Sequence, residues 1–295
     1  MTIRNVFVMG AGLMGSGIAQ VCAQAGLSVS LYDVDQAALE KSLKSLAWSL
    51  GKLVEKGKVT ESLEKIVGRI SPAHSLKPAG QAQLAIEAVF ENLELKRKVF
   101  AQMDEQAGPD TLLASNTSAI SITELAAATK RPDRVLGLHF FSPVPMMQAV
   151  EVIRGISTSD ETFEAGRRFV LDIGKEPILV RRDIGGFLIN RINFMANTEA
   201  MRLVEEGVAT VEDIDKGLRL ASGRKMGIFE TGDMVGLDVT LGALNAVYEE
   251  TKDPRFYPPL ILRRKVKAGE LGKKTGKGWY VYDEQGNRLG PAKVY

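Results

Sequence analysis

Val6-Phe7-Val8-Met9-Gly10-Ala11-Gly12-Leu13-Met14-Gly15 is an apolar run that ends in G-x-G-x-x-G. A helical stretch, residues 16–25, follows, and then a second apolar run, Ser28-Val29-Ser30-Leu31-Tyr32, which ends in Asp33. The glycine pattern alone is a weak signal. Lying between a strand and a helix, with an acid 18 residues beyond Gly15, it meets the requirements of the dinucleotide fingerprint. Gly10 permits the tight turn, Gly12 lets backbone approach a pyrophosphate, and Gly15 allows close helix–strand packing. The helix N-terminus supplies free N–H groups and the positive end of a dipole. The loop Gly10-Ala11-Gly12-Leu13-Met14-Gly15 is therefore the expected cofactor-binding segment. Asp33 is the expected acceptor for ribose hydroxyls. Val34 and Asp35 follow it, not Arg or Lys, which predicts NAD over NADP. The competing reading is a glycine-bearing turn in some other α/β protein.

Outward from this stretch, short apolar runs alternate with helical stretches as far as about residue 182. Runs at 6–9, 29–32, 84–89, 111–114, 135–139, 149–153 and 178–180 are strand candidates. Such alternation predicts a doubly wound, largely parallel sheet. A Lys-rich helix is expected over 36–56, carrying Lys41, Lys44, Lys52 and Lys56. After Asp183-Ile184-Gly185-Gly186, a candidate hinge, the character changes. Helical patterns span 187–206, 237–250 and 260–268, and the one strand candidate lies at 279–282. Gly207 suits a helix C′ position, and Thr210 with Asp213 has capping-box spacing. The reading is thus α/β: a Rossmann-type doubly wound domain over 1–183, then a mostly α-helical domain over 184–295.

Composition narrows the class. A chain of 295 residues suits about two domains. With 45% hydrophobic and 25% charged residues it is ordinary globular material. The net charge is +2 without a long block of like charge, so a nucleic-acid partner is not expected. The single cysteine, Cys22, excludes an internal disulfide and fits a reducing, cytoplasmic setting. Its apolar helical surroundings suit a buried packing residue. The first residues run directly into a strand, so no signal or transit peptide is expected. No apolar run approaches the ~20 residues of a membrane span.

Chemistry is expected at the carboxyl ends of the strands, where open α/β sheets bind ligands. His139 ends one strand candidate, and Glu151 alternates with valines in the next. An unpaired buried acid is costly. Pairing with His139 would explain both residues, the acid fixing the imidazole tautomer. An exposed Glu on an edge strand beside a satisfied core His is the alternative. The other histidine, His74, lies in a polar turn with no acid nearby. Ser115-Asn116-Thr117-Ser118 also follows a strand and could hold a substrate oxygen, or could lead into the Ser121–Glu124 helix cap. Asn190 lies within an apolar helix, either as a structural amide or as a substrate contact.

Several stretches together resemble the L-3-hydroxyacyl-CoA dehydrogenase family. They are the glycine loop, Glu87-Ala88-Val89-Phe90-Glu91-Asn92, residues 114–118, Leu138-His139-Phe140-Phe141 and Pro143-Val144-Pro145-Met146. Val150-Glu151-Val152, residues 186–191, Met234-Val235-Gly236-Leu237-Asp238 and residues 272–280 continue the likeness along the whole chain, in order. The resemblance implies an NAD-dependent oxidoreductase of fatty-acid metabolism, of the stand-alone 3-hydroxybutyryl type. It implies His139 as general base, Glu151 as its carboxylate partner, and Ser118 and Asn190 as holders of the substrate oxygens. It implies NAD contacts at Glu91, Lys96, Ser118 and Lys274, coenzyme A contacts at Ser49, Lys56 and Ser118, and a homodimer. Ser142 departs from the Asn of many members, and Arg224-Lys225-Met226-Gly227-Ile228 from a proline-bearing stretch near the acyl end. The alternatives are a sugar-acid dehydrogenase on the same scaffold, acting on L-gulonate for example, and a non-catalytic, crystallin-like relative.

Overall fold

The computed structural model describes residues 2–293. The chain forms two compact units that part between Ile184 and Gly185.

The first unit begins β1 (Asn5–Met9), α1 (Leu13–Gln24), β2 (Ser28–Tyr32), α2 (Gln36–Glu55), α3 (Leu63–Val67) and β3 (Ile70–Ala73). It continues with β4 (Leu84–Glu87), α4 (Leu93–Gln106), β5 (Leu112–Ser115), α5 (Ile122–Ala126) and β6 (Val135–Phe140). β7 (Ala149–Ile153), α6 (Asp160–Asp172) and β8 (Glu176–Val180) complete it. The eight strands form one sheet in the order β3-β2-β1-β4-β5-β6-β7-β8. All pair in parallel except β6 with β7, which run antiparallel. The central strands are buried throughout, as in Leu84–Glu87 and Leu112–Ser115. This is the continuous apolar reading of strands covered on both faces.

Local chemistry accounts for the helices. Asp35 caps α2 by accepting the Ala37 and Ala38 N–H groups. α2 then buries Leu39, Ser42, Leu46 and Leu50, a three-and-four spacing that lines one face. Ser121 caps α5 through the Glu124 N–H. Asp183 supports the same cap, accepting from the Ser121 hydroxyl at 2.7 Å and the Thr123 N–H at 2.8 Å.

β3 lies outside the strand candidates, just before His74 and its polar turn. It is four residues long and contains Pro72, which pairs only with Leu31 of β2. Pro lacks an N–H and is tolerated where one side of the strand has no neighbour. His74, just beyond β3, is exposed and meets Gln36 at 2.5 Å.

The second unit contains α7 (Ile189–Glu205), α8 (Val211–Ser222), α9 (Ile228–Val235), α10 (Leu237–Thr251) and α11 (Leu260–Lys267). A hairpin of β9 (Tyr280–Tyr282) and β10 (Arg288–Pro291) follows. Thr210 caps α8 through the Asp213 N–H, and Gly223 ends that helix in the left-handed region. Two buried carboxylates tie the unit together. Asp215 accepts the Phe229 and Glu230 N–H groups at 2.9 and 3.0 Å, and the Tyr280 hydroxyl at 2.8 Å. Asp233 accepts the Trp279 and Tyr280 N–H groups and the Tyr282 hydroxyl, pinning the hairpin to α9. Burial pushes its carboxyl above the usual range against these donors. Among the described residues no helix is long and apolar enough to cross a membrane.

Candidate active site

The glycine loop joins β1 to α1. Gly10 has φ +111°, and a Cβ there would lie 2.5 Å from the Ala88 carbonyl oxygen. At Gly15 a Cβ would lie 1.8 Å from the Gly10 oxygen. Both positions therefore require glycine for packing. At Gly12 a Cβ would meet nothing within 4 Å. Gly12 is also the N-cap of α1, and no side chain caps that helix. Unpaired helix-start N–H groups beside an open glycine are the arrangement that receives a phosphate. The loop thus fits a dinucleotide.

Asp33 directly follows β2 and is half-buried. Its Oδ2 accepts the Ala11 N–H at 2.7 Å, and its Oδ1 accepts the Asp35 N–H at 3.0 Å. The same carboxylate that is expected to meet a ribose therefore also holds the glycine loop in shape. Each oxygen keeps a second lone pair for a hydroxyl donor.

His139 and Glu151 are register partners across the antiparallel β6–β7 pair. Opposed Cβ atoms in such a pair lie close, and the His139 Nδ1 to Glu151 Oε2 distance is 2.6 Å. Glu151 is 0% exposed, and β7 lies between β6 and β8. The alternative of an exposed edge-strand acid is thereby removed. His139 Nε2 lies 3.2 Å from the Ser118 hydroxyl. The Phe141 ring tilts against the imidazole at 4.6 Å between centroids. Asn116 accepts the Phe140 N–H at 3.0 Å, tying the segment after β5 to β6. The β6–β7 turn is held by Lys175, whose buried ammonium donates to the carbonyls of Val144 at 2.8 Å and Met147 at 2.6 Å. Burial holds the Lys175 pKa below its ordinary value.

Glu91 Oε1 accepts from the Thr117 hydroxyl at 2.6 Å and from the N–H groups of Ser118 at 2.9 Å and Ala119 at 3.2 Å. Lys96 is 1% exposed. Its ammonium meets Glu87 at 2.6 Å, the Val89 carbonyl at 3.2 Å and Glu91 at 3.3 Å. The sequence motif that contains Glu87 assigns this residue no role. The available signal was an acid closing the apolar run Leu84-Ala85-Ile86.

Ser49 is half-buried on α2, and Lys56 is exposed at its C-terminal end. In the second unit, Asn190 sits half-buried in the first turn of α7. It follows Phe187, a non-glycine residue with φ 47°. Lys274 bonds both carboxylate oxygens of Asp238 at 2.7 Å.

The chain resembles known proteins over nearly its full length. The profile described as 3-hydroxyacyl-CoA dehydrogenase, NAD binding domain, matches residues 5–184. The profile of the C-terminal domain of the same family matches residues 186–282. A probable 3-hydroxybutyryl-CoA dehydrogenase of Bacillus subtilis is 43% identical over 286 residues, covering 97% of this chain and 99% of that protein. The mitochondrial hydroxyacyl-coenzyme A dehydrogenase of Mus musculus is 43% identical, covering 95% of this chain and 91% of that protein. The crystal structure of (S)-3-hydroxybutyryl-CoA dehydrogenase from Ralstonia eutropha superposes with a TM-score of 0.93 at 43% identity, covering 96% of this chain and 100% of that one. Both domain profiles match in order along the chain. The chain belongs to the NAD-dependent 3-hydroxyacyl-CoA dehydrogenase family.

Proposed function

We propose that the chain interconverts short-chain L-3-hydroxyacyl-CoA and 3-oxoacyl-CoA, with 3-hydroxybutyryl-CoA as the preferred substrate. His139 is the acid–base group, and Glu151 is its partner. The observation that carries this reading is the buried His139–Glu151 contact with Ser118 on the other ring nitrogen. An ionised carboxylate only accepts, so Nδ1 carries the proton and Nε2 presents its lone pair. Nε2 takes the proton of the substrate hydroxyl as the C3–H bond breaks, and the imidazolium so formed is stabilised by Glu151. NAD, when bound, supplies the hydride acceptor. In the reverse direction Nε2–H returns the proton to the forming alkoxide. Ser118 orients the substrate oxygen against Nε2, and Asn190 is assigned the same kind of contact.

The glycine loop, Asp33, Glu91, Lys96, Ser118 and Lys274 are the cofactor contacts in this reading, and Ser49, Lys56 and Ser118 hold the coenzyme A moiety. The first unit binds NAD; the second serves substrate binding and the pairing of two copies. Exposed apolar residues of the second unit, among them Ile192, Leu220, Met234 and Val239, support that pairing.

The test is NADH production from a ladder of L-3-hydroxyacyl-CoA thioesters, with L-gulonate alongside. The C4 thioester is expected to give the highest kcat/KM. An enzyme that oxidises gulonate and no thioester would overturn the proposal, and so would one that oxidises nothing.

A further inference from the structure

We infer that Lys175 is a positioning residue, which clamps the β6–β7 turn so that Phe141 holds the His139 imidazole in place relative to helix α1. The inference rests on the acid–base reading of His139 above.

The turn, residues 141–148, joins the strand that carries His139 to the strand that carries Glu151. Pro143 and Pro145 bring no N–H to it. Met146 and Met147 donate their N–H groups to the Pro143 carbonyl at 2.9 and 3.1 Å, and Val144 is the one buried residue of the segment. Two contacts from outside hold it. On one side lies α1, where a Cβ at Gly17 would come within 2.7 Å of the Val144 Cβ. The valine is thus seated on bare helix backbone, one turn beyond the start of that helix. On the other side lies Lys175. β7 and β8 pair in parallel with Ala149 opposite Glu176, which sets Lys175 beside the end of the turn. The Glu176 N–H meets the Gln148 carbonyl at 2.9 Å. From this point the Lys175 ammonium donates to the Val144 carbonyl at 2.8 Å and the Met147 carbonyl at 2.6 Å.

Lys175 is 5% exposed, and among the described residues its ammonium bonds carbonyls and no carboxylate. A buried ammonium without a counter-ion is a costly way to hold a turn. For fold stability alone, a well-packed apolar side chain of similar length would serve as well or better. What the charge adds is a pair of short, charge-assisted bonds that fix the backbone in direction as well as distance. The two carbonyls so fixed lie on the turn that opens with Phe141, whose ring centroid is 4.6 Å from that of the imidazole. Fixing Val144 also fixes the seat on α1, the helix that follows the glycine loop. Lys175 therefore acts on the reaction through the turn: it holds the acid–base ring and the cofactor helix in one frame. Proton and hydride transfer tolerate little misplacement, about an ångström being worth roughly 10² in rate.

The experiment is a pair of double-mutant cycles against Phe141→Ala. One arm is Lys175→Met, which keeps the length of the side chain and removes its charge. The other is Val144→Ala, which loosens the seat on α1 and leaves the lysine in place. Each is made alone and with Phe141→Ala. On each folded variant kcat, KM for 3-hydroxybutyryl-CoA and the NADH Kd are measured. Lys175→Met should lower kcat by about tenfold or more and Val144→Ala by about fivefold or more, with KM and the NADH Kd changed by less than about threefold. Combined with Phe141→Ala, each should cost less than about a further twofold, because the ring being positioned is already gone. Losses that multiply in the combined variants would overturn the inference, and so would a kcat within about twofold of wild type in either arm. A KM or NADH Kd raised about tenfold at unchanged kcat would do the same and make the turn a binding element. If Lys175→Met does not fold, Lys175→Arg, which keeps the charge and displaces the donors, goes through the same cycle with the same outcomes deciding. His139→Gln in the same assay keeps the readings apart: its normal kcat would sink the acid–base reading, whereas the cycles judge the clamp.

Discussion

Replacing Glu151 by Gln keeps the shape of the side chain and removes its charge. The charge matters most when His139 is an imidazolium, that is, while the substrate proton resides on Nε2. Glu151 is 0% exposed and 2.6 Å from Nδ1, so the centres of the two charges lie about 4 Å apart. At an effective dielectric of 20 their attraction is about 4 kcal/mol, equivalent to roughly three decades in rate. The Gln carbonyl still accepts the Nδ1 proton and recovers part of this. The expected loss in kcat is therefore about 10²–10³. His139→Gln should cost roughly 10²–10⁴, the usual worth of a positioned acid–base group. The two losses should not multiply, because residues acting as one unit are non-additive. The double variant should be about as slow as His139→Gln alone. The assay is steady-state NADH formation from 3-hydroxybutyryl-CoA for the four proteins, with NADH affinity followed by fluorescence. A Glu151→Gln enzyme within about threefold of wild-type kcat, or fully multiplicative losses, would refute the reasoning and leave Glu151 a structural charge.

Four further outcomes are expected. The enzyme should prefer NAD to NADP by at least ~10-fold in kcat/KM, about 1.4 kcal/mol, because Asp33 directly follows β2 with no base beside it; equal values would contradict this. Lys56→Ala should raise KM for acyl-CoA more than it lowers kcat and leave a truncated thioester nearly unaffected, since a remote contact holds ground and transition states alike; equal effects on both substrates would exclude the clamp. Gly15→Ala should destabilise the fold by about 1–3 kcal/mol or more in thermal or urea melts, since its Cβ would strike the Gly10 oxygen. Gly12→Ala, into open space, should melt near wild type while weakening NADH binding, and matching melts for the two would show that the contact is relieved cheaply. Cys22 is buried and its thiol is pushed up to about 12 by desolvation, so native protein at pH 8 should resist alkylation that the unfolded chain accepts. A raised native pKa means that this stabilisation is intact below the unfolded thiol's pKa of about 8.5 and fades as pH rises above it; rapid native labelling would show the thiol to be accessible.

What the sequence determined by itself was whatever is encoded within a few residues. The β1–α1 glycine loop, the caps at Ser121 and Thr210, and the strands at 6–9, 29–32 and 149–153 were legible because turn chemistry, capping and apolar runs are local. The edge strand β3 was not, because a four-residue run with a proline has no local signature distinguishing it from a turn. β10 escaped for a related reason: Arg288-Leu289-Gly290-Pro291 is mostly exposed and has no alternating apolar pattern, and it pairs only because β9 is there to pair with. His139 and Glu151 were both legible as candidates, but not as neighbours. Twelve residues of separation are compatible with either strand direction, and only the antiparallel return of β7 puts the two side chains opposite one another. Lys96 shows the same limit from the other side. Its place in a polar helix says nothing of where its ammonium goes. That was decided by Glu87 at the end of β4 and by Glu91, which together offer a buried cation enough acceptors to offset its desolvation. Strand direction and charge pairing are properties of the assembled sheet, and the free energy that selects them is spread over residues far apart in the chain.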